Sequence, residues 1–406
     1  MTWVDSNARV RYVPRVDDDS KREHASCAPS GRLHTGARNG HLRAEDVAVE
    51  TLLGRSVIEF RGRAFGEYLA DATVLVTGAG GSVGRELCAR LMRLRPRELV
   101  LVDQAEASLI GLARSLRDEM AFANIVPVLL DIRSRARTAD AFERYRPNVV
   151  FHAAAYKHVP LLEAFPVEGV ATNILGTKSI VDAARRVDVG HFVLFSTDKA
   201  VDPTNILGQT KAVAEWIVAV AGREAAHGGY ASVRLGNIVD SAGSILPIFR
   251  QQVASGGPVT VTHPKATRYL MTAAEAAGLA IVAGELADSD DVFWLDSGPP
   301  VRVVELVRRL ASAVERDVGI DFVGLRAGER LHEHPFASGA EVAGTPCEHV
   351  WRSTVHHVDP AWLARWLALL ALHVSRASAA GVRGALAEIQ WAAEHEVDEA
   401  TAVLAR

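Results

Sequence analysis

The strongest chemical signal in the sequence is a glycine-rich turn that follows an apolar run and opens a helical pattern, TVLVTGAGGSVGRELCARLM (73–92). The first glycine permits a tight turn, the second lets the backbone approach a pyrophosphate, and the third lets the helix pack closely on the strand. The start of the helix offers free N–H groups and a partial positive charge to phosphates. The residues expected at this site are Gly78, Gly81, Ser82, Val83 and Gly84.

An acidic residue ends the next strand-like run, ELVLVD (98–103). Asp103 is placed to accept hydrogen bonds from the 2′ and 3′ hydroxyls of an adenosine ribose. Its carboxylate would repel the 2′-phosphate of NADP, and Gln104 rather than an arginine follows it, so we expect NAD as the cofactor. Asp131 and Ile132 come at the end of a third apolar strand-like run, which begins at Ile125. We expect both to flank the adenine, with a strand-end cap as the alternative for Asp131.

Six β-rich runs separated by helix-length segments form the frame that must position these residues. They are TVLVT (73–77), ELVLVD (98–103), IVPVLLD (125–131), NVVFH (148–152), HFVLFS (191–196) and ASVRL (231–235). The alternation indicates an α/β protein with a parallel sheet covered on both faces, and right-handed crossovers make it a doubly wound Rossmann fold. Ligands bind at the carboxyl edge of such sheets. The Asp198-Lys199 pair follows the fifth run and is therefore a candidate for acid–base chemistry, with a solvated loop pair as the alternative.

The remaining segments differ in pattern from this alternating region. Residues 1–43 are polar with mixed charges, and we expect a flexible tail. Residues 44–72 carry short apolar pairs typical of a segment docked on the main body. After the NAD-binding region, 73–235, the alternation loosens, which indicates a smaller substrate-binding domain over 236–350. Residues 351–406 are rich in Ala, Leu and Arg and predict a helical extension.

Composition limits the classes of partner. The chain has 406 residues, 49% of them hydrophobic and 23% charged, with a net charge of -4, which argues against disorder and against nucleic acid. Cys27, Cys88 and Cys347 form no CxxC pair, so we expect no metal site. The N-terminus lacks a secretory apolar region. The segment 362–374 is too short for a membrane span and carries Arg365, so we expect a packed helix there and a cytoplasmic chain without a membrane partner.

Longer motifs narrow the assignment. The Gly-x-x-Gly-x-x-Gly spacing resembles the extended short-chain dehydrogenase/reductase superfamily. Five further runs resemble bacterial polysaccharide-biosynthesis nucleotide-sugar dehydratases, a group that includes UDP-N-acetylglucosamine 4,6-dehydratases. These runs are FHAAAYKHVPLLE (151–163), FSTDKAVDPTNILGQTKA (195–212), VRLGNIVDSAGSILPIF (233–249), GGPVTVTHPKATRYLMT (256–272) and GLRAGERLHE (324–333). The resemblance covers about 45–335. Many members carry an N-terminal membrane domain, so this chain resembles a soluble version of their catalytic half.

The resemblance implies a nucleotide-sugar substrate, NAD, a homo-oligomer and a specific reaction. NAD oxidises C4 of the sugar, C5 loses a proton, the C6 hydroxyl leaves as water, and the hydride returns to C6. Asp198 is implied to be the acid at C6 and Lys199 the base at C5. Each must act in the form opposite to its free state at neutral pH, and burial in a closed apolar pocket favours those uncharged forms. Lys211 is implied to hold the nicotinamide ribose, and Ala153 and Ala154 to line the cofactor.

One position departs from the superfamily. Four residues before Lys211, where a Tyr-x-x-x-Lys pair would have its tyrosine, the chain has Leu207. The resembled group commonly has methionine there, so activity without tyrosine is compatible with the resemblance. Leucine nevertheless has no heteroatom to take the proton of the C4 hydroxyl. A water held by Thr197 or Lys211 is one route for that proton.

Further positions resemble substrate contacts. Lys157 and His158 follow the fourth run and resemble positions that touch the substrate. Residues that resemble contacts to the diphosphate, the uracil side or the ribose are Asn237, Arg268, Arg326 and Glu329. The arginine fork suits a diphosphate. A loop histidine is the alternative for His158, and surface charge is the alternative for the other set.

Three functions remain open from the sequence. The first is a nucleotide-sugar 4,6-dehydratase. The second keeps the fold and cofactor but acts as a 5-epimerase or 5,6-dehydratase. The third is a decayed homologue that only binds nucleotide sugar, which Leu207 would mark and the intact Asp198-Lys199 pair opposes.

Overall fold

The computed structural model describes residues 11–12, 43–59, 65–119, 124–353 and 357–395. The strands are β1 (Arg11–Tyr12), β2 (Thr73–Thr77), β3 (Glu98–Asp103), β4 (Ile125–Leu129), β5 (Val149–His152), β6 (His191–Phe195), β7 (Gly229–Arg234), β8 (Asn237–Ile238), β9 (Val259–Val261), β10 (Thr267–Arg268), β11 (Leu270–Met271), β12 (Asp291–Leu295), β13 (Val301–Arg302), β14 (Ile320–Phe322), β15 (Glu341–Gly344) and β16 (Val350–Ser353).

The helices lie between and after these strands. They are α1 (Val49–Leu53), α2 (Ser82–Arg93), α3 (Glu106–Glu119), α4 (Arg135–Tyr145), α5 (Val159–Ala164), α6 (Pro166–Gly169), α7 (Thr177–Arg186), α8 (Ile206–Glu224), α9 (Ile245–Ala254), α10 (Ala273–Leu286), α11 (Val303–Ala313), α12 (Pro360–Ser375) and α13 (Ala379–Glu394). A π-helical segment, Val170–Gly176, joins α6 to α7. Most of the predicted tail, 1–43, lies outside the described residues.

The doubly wound sheet predicted from the sequence is confirmed. Its parallel part has the order β4-β3-β2-β5-β6-β7-β12; five of the six predicted runs contain one of its strands, and the sixth, 231–235, overlaps β7. The strand order reverses between β2 and β5: β3 and β4 lie on one side of β2, and β5, β6 and β7 lie on the other. A ligand crevice forms outside the carboxyl ends of strands at such a reversal. The sheet therefore brings the glycine turn after β2 and the loops after β5 and β6 to one edge.

The main sheet continues beyond the range predicted for the NAD-binding region. β12 adds to β7 in parallel, β16 pairs antiparallel with β12, and β15 and β1 complete the edge. The range 236–350 thus supplies strands to the main sheet as well as the smaller region. Its sheet strands alternate with short pieces that pair elsewhere, which is why the sequence pattern loosens there.

The smaller region has its own apolar core around α9 and α11. Three two-stranded pairs accompany it: β8 with β11, β9 with β14, and β10 with β13. Leu52 and Leu53 of α1 belong to this core together with Leu246 and Leu310. Arg309 on α11 donates to the carbonyls of Leu52 and Leu53, at 3.1 and 2.8 Å. The start of the predicted docking segment is therefore built into the smaller region.

The two C-terminal helices form a layer over α8 and the π-helical segment. Trp362 packs edge-on against Trp216 of α8, with ring centroids 6.1 Å apart, and Leu370 and Ile389 are fully buried in the same core. Within the described part of the chain, every helix is too short or too polar to cross a bilayer.

Candidate functional site

The glycine turn has a shape that larger residues could not adopt. Gly78 has φ +67°, and a Cβ there would lie 2.7 Å from the backbone N of Ala154. A Cβ on Gly84 would lie 2.2 Å from the carbonyl oxygen of Gly78. Gly81 caps α2 without any side-chain hydrogen bond to the first turn. The first N–H groups of α2 therefore receive no hydrogen bond from the cap residue's side chain, and a phosphate bound there stays a prediction.

Asp103 closes one side of this turn. Its Oδ2 accepts a hydrogen bond from the Gly80 N–H and its Oδ1 from the Ala105 N–H, each at 2.8 Å. A carboxylate offers about four acceptor sites, so both oxygens keep capacity for ribose hydroxyls. The two backbone bonds fix the carboxylate beside the glycine turn.

The other predicted cofactor residues follow β4 and β5. Ala153 and Ala154 extend β5 beside the turn, and the Ala153 N–H donates to the last residue of β2 at 3.1 Å. Asp131 forms a two-oxygen ion pair with Arg133, with Nη2 and Oδ2 2.6 Å apart, and this pairing lowers the pKa of Asp131. Ile132 is buried under the π-helical segment.

The predicted acid and base lie side by side after β6. Thr197 Oγ1 and Lys199 Nζ both donate to Asp198 Oδ1, each at 2.9 Å. The Asp198 side chain is fully buried, and its N–H donates to the carbonyl of Leu235 at 3.0 Å, which ties the loop to the end of β7. Asp198 Oδ2 is buried without a hydrogen-bond partner among the described residues. That oxygen is the one left to meet a substrate hydroxyl.

Lys199 has two further neighbours: Asn237, which the sequence placed among the nucleotide contacts, and Glu333, which was not singled out from the sequence. Its Nζ donates to Asn237 Oδ1 at 2.9 Å and lies 3.6 Å from Glu333 Oε1. Burial raises the pKa of Glu333; the charge of Lys199 opposes this and that of Asp198 adds to it. Glu333 ends the motif GLRAGERLHE, but nothing in the chain spacing shows that this motif meets the loop after β6.

Lys211 lies behind this pair on α8. It is buried, and its Nζ donates to the carbonyl of Phe195 at 2.6 Å. Burial lowers the pKa of Lys211 to about 8, and Glu215, one turn further, partly offsets this. Glu215 is itself paired with Arg234 at 2.7 Å. Leu207, one turn before Lys211, is only 5% exposed and belongs to the main core.

A buried polar chain that the sequence did not reveal crosses the same edge of the sheet. The Thr177 hydroxyl donates to the carbonyl of Asn173, so it must accept from His152 Nε2, 2.9 Å away. His152 Nδ1 then accepts from the Thr77 hydroxyl at 2.6 Å. Burial, with a smaller contribution from Lys211, lowers the pKa of His152 to about 3. This histidine is therefore neutral and holds β2, β5 and α7 together.

The two residues after β5 contact a loop from the smaller region. Lys157 Nζ donates to the Ser241 hydroxyl at 2.9 Å, and the ring of His158 packs against Gly243. Burial lowers the pKa of both, and the charge of Lys157 adds to the effect on His158. The backbone N–H of Ala242 donates to the Ser82 hydroxyl at 3.3 Å. This loop thus reaches from the predicted substrate residues to the phosphate turn.

The remaining predicted substrate residues form a separate corner. Arg268, itself buried, donates from Nη2 to Glu329 Oε1 at 2.6 Å and from Nη1 to the carbonyls of Thr267 and Leu331. Arg326 is exposed, and its backbone N–H lies 3.3 Å from Glu329 Oε2. Arg268 is already held by these partners, so a diphosphate at this corner would have to share or replace one of them.

Comparison with known proteins identifies a protein family that the chain matches over most of its length. A family model described as "Polysaccharide biosynthesis protein" matches residues 74–354. The capsular polysaccharide biosynthesis protein CapD of Staphylococcus aureus is 40% identical over 77% of this chain and 53% of its own length. The probable polysaccharide biosynthesis protein EpsC of Bacillus subtilis is 41% identical over 72% of this chain and 49% of its own length. The chain thus spans about half the length of these two relatives.

Other similar proteins are named for different activities. The UDP-glucose 4-epimerase of Rickettsia rickettsii is 31% identical over 67% of this chain and 80% of its own length. Among solved structures, Pen from Bacillus thuringiensis matches with a TM-score of 0.62 and 30% identity, over 66% of this chain and 84% of Pen. DesIV of Streptomyces venezuelae, a dTDP-glucose 4,6-dehydratase solved with NAD and TYD, matches with a TM-score of 0.56 and 20% identity, over 64% of this chain and 87% of DesIV. The DesIV match supports the fold alone.

Proposed function

Because the chain belongs to the polysaccharide biosynthesis protein family, within the extended short-chain dehydrogenase/reductases, we propose that it is an NAD-dependent nucleotide-sugar 4,6-dehydratase. The substrate proposed is UDP-N-acetylglucosamine or a close relative. The observation that carries the proposal is the cluster of Thr197, Asp198 and Lys199 at the carboxyl end of β6. It places a carboxyl group and an amine 2.9 Å apart at the sheet edge where ligands bind.

The turn after β2 has the features that NAD requires. Gly78 and Gly84 admit no Cβ, α2 starts without a side-chain cap, and Asp103 is fixed by two backbone N–H groups. Gly78, Gly81, Ser82, Val83 and Gly84 would hold the pyrophosphate, Asp103 the adenosine ribose, and Lys211 the nicotinamide ribose. When bound, NAD would accept a hydride from C4 of the sugar and supply it again at C6.

The Thr197–Asp198 hydrogen bond suggests a replacement for the missing tyrosine. A proton leaving the C4 hydroxyl can pass to Thr197, whose own hydroxyl proton moves on to Asp198 Oδ1, 2.9 Å away. Asp198 is then protonated and buried, which is the form an acid needs in order to protonate the leaving C6 hydroxyl. One carboxyl group would thus carry a proton from O4 to O6, with no net exchange with solvent.

Lys199 is proposed to remove the C5 proton and later to return it. Its Nζ is anchored by Asp198 and Asn237, so the amine is held on the same side of the site as the acid. Elimination of water needs both groups together, because C5–H and C6–OH lie on adjacent carbons. General acid–base catalysis of this kind typically contributes a hundredfold to ten-thousandfold in rate.

The direct test is to incubate the purified chain with UDP-N-acetylglucosamine and NAD in heavy water. Mass spectrometry should show a product that has lost one water, and NMR should show a C6 methyl group, a C4 ketone and deuterium at C5. The Lys199→Ala variant should form no product, whereas Lys178→Ala, which loses an amine on α7 paired with Asp182, should match wild type. No dehydrated product from a panel of sugar nucleotides would rule the proposal out.

The same pair at C5 also suits a second candidate. Removing and returning a proton at C5 is the chemistry of a 5-epimerase, and in a 5,6-dehydratase the hydride would return to C4 after the elimination instead of to C6. The NMR spectrum of the product separates these from the 4,6-dehydratase. A homologue that only binds nucleotide sugar would give binding without any new product.

A further inference from the structure

Glu333 is a buried carboxyl group directed at Lys199. Its side chain is 2% exposed, its Oε1 lies 3.6 Å from Lys199 Nζ, and its Oε2 has no hydrogen-bond partner among the described residues. A buried carboxyl oxygen without a partner is unfavourable unless the group is neutral or serves a function. The sequence similarities assign no role to this residue.

The surroundings of Lys199 oppose the role proposed for it. Its ammonium lies between two carboxyl groups, Asp198 at 2.9 Å and Glu333 at 3.6 Å, with Asn237 Oδ1 as a third acceptor. Both carboxylates stabilise the charged lysine, since their side chains are almost completely withdrawn from water. A charged lysine cannot remove a proton from C5. The site therefore needs an acceptor for the lysine proton that is not Asp198, because Asp198 must itself be protonated for the C6 step.

We propose that Glu333 accepts the proton that Lys199 loses before it acts as the base at C5, and returns that proton at the end of each turnover. This inference rests on the proposed dehydratase function. Glu333 acts through Lys199 rather than on the sugar, so it is a positioning residue that also stores a proton.

The protons balance through one turnover. At rest, Asp198 and Glu333 are carboxylates and Lys199 is an ammonium. The C4 hydroxyl proton reaches Asp198, and the lysine proton moves to Glu333, so that Lys199 is neutral. Lys199 takes the C5 proton and Asp198 protonates the departing C6 hydroxyl, which leaves as water. With the hydride returned to C6, Lys199 gives its proton back to C5, and Glu333 returns the stored proton to Lys199. Every group then has its starting charge.

The charges around Glu333 suit a group that is able to hold a proton. Burial and Asp198 raise its pKa, while Lys199, Arg268 and Arg330 oppose the rise. The nearby Arg268 is paired with Glu329 at 2.6 Å, so it does not fully neutralise Glu333. Protonation of Asp198 removes a charge that raises the pKa of Glu333, and loss of the lysine proton removes the largest opposing charge. Once Lys199 is neutral, Glu333 therefore holds the proton against a smaller opposing charge.

The test compares kcat and KM across pH for wild type, Glu333→Gln and Glu333→Asp. At neutral pH, Glu333→Gln should lose about tenfold to a hundredfold in kcat with little change in KM. The loss should shrink as pH rises, because solvent then removes the lysine proton. Glu333→Asp should regain part of the rate. Glu285→Gln is the matched control, since Glu285 accepts from the backbone N–H of Gly66 far from the site and its amide oxygen can still do so.

Two kinetic results would overturn the proposal. If Glu333 only held the ammonium in place, its removal would favour the neutral lysine, and kcat at neutral pH would hold or rise. If it were purely structural, kcat would fall equally at every pH.

An infrared titration of the apo-protein reports on Glu333 without turnover. A carboxylic-acid C=O band that is missing from Glu333→Gln, and that disappears only between the pH range of ordinary glutamates and the pH of the assay, supports proton storage. Loss of the band already in the ordinary glutamate range, or its persistence at the pH of the assay, overturns the proposal. If wild type forms no product from any nucleotide sugar, the proposed function fails, and the infrared result still decides whether Glu333 holds a proton beside Lys199.

Discussion

The Nζ of Lys211 lies 2.6 Å from the main-chain carbonyl oxygen of Phe195, the last residue of β6. This bond fixes a buried amine directly behind the loop that carries Thr197, Asp198 and Lys199. Helix α8 is thereby tied to the strand whose end forms the candidate site. Because Lys211 is buried, its protonation can be followed through the pH dependence of the free energy of unfolding.

Lys211→Met should change the pH dependence of stability in a defined direction. Burial lowers the pKa of Lys211 in the folded protein to about 8, below its unfolded value. The folded state therefore binds fewer protons than the unfolded state at intermediate pH, and the burial cost in wild type is full below about pH 8 and relieved towards about pH 10. The stability of wild type relative to Lys211→Met should rise by about 1–3 kcal/mol between those limits. Urea unfolding at each pH measures it, and a flat or falling difference would contradict the assignment.

Asp198→Asn tests whether one carboxyl group serves both C4 and C6. An amide cannot receive the C4 hydroxyl proton through Thr197, so we expect neither a 4-keto intermediate nor a dehydrated product. Thr197→Val removes the hydroxyl that bridges to Asp198 and should slow C4 oxidation by about a hundredfold or more. Mass spectrometry of quenched reactions provides the measurement. Accumulation of an undehydrated 4-keto sugar in Asp198→Asn would show that Asp198 acts only at C6.

Cofactor preference should follow Asp103. Titration calorimetry of apo-protein should show tighter binding of NAD than of NADP. Asp103→Asn keeps one side-chain oxygen for a backbone N–H and removes the charge. The ratio of the NADP to the NAD dissociation constant should therefore fall by about tenfold, equivalent to about 1.4 kcal/mol. Tighter binding of NADP by wild type would show that the carboxylate does not exclude the 2′-phosphate.

Leu207 should make C4 oxidation the slow step. No side chain at this position can take the hydroxyl proton, so we expect a primary kinetic isotope effect with substrate deuterated at C4. Leu207→Tyr should destabilise the folded protein, because Leu207 is only 5% exposed and overpacking a core typically costs about 1–3 kcal/mol. Leu207→Met is the size-matched control and should cost less than about 1.5 kcal/mol. An isotope effect at C5 instead of C4 would place the slow step at proton removal.

Arg55→Ala should release the N-terminal segment from α10. The Arg55 fork bonds both oxygens of Glu275, at 2.5 and 3.1 Å, and the Glu275 side chain is fully buried. Removing one partner of a buried pair typically costs about 3–5 kcal/mol. Arg43→Ala is the control, since Arg43 pairs loosely with Glu45 at the surface and should change stability by less than about 0.5 kcal/mol. Equal effects of the two changes on the free energy of unfolding would show that the Arg55–Glu275 ion pair does not hold the segment on α10.

The sequence alone determined the parallel sheet and the turn after its first strand. Strands buried on both faces must be nearly continuous apolar runs, and such runs are visible without any partner, as in TVLVT and ELVLVD. The glycine spacing is also visible in the sequence, and at Gly84 its reason is local, because a Cβ there would meet the backbone of Gly78 and Ala79. At Gly78 the backbone that excludes a Cβ belongs to Ala154, after β5. The pairing of Asp198 with Lys199 is local too, since the two are neighbours in the chain.

Only the tertiary structure decided which distant groups share the site. Asn237 and Glu333 reach Lys199 from the smaller region, and His152 is made neutral by burial between threonines from other elements. The main sheet also recruits β12 after a long excursion through that region. None of these contacts has a period or spacing in sequence. They depend on where crossovers place each loop, and burial and charge act through space rather than along the chain.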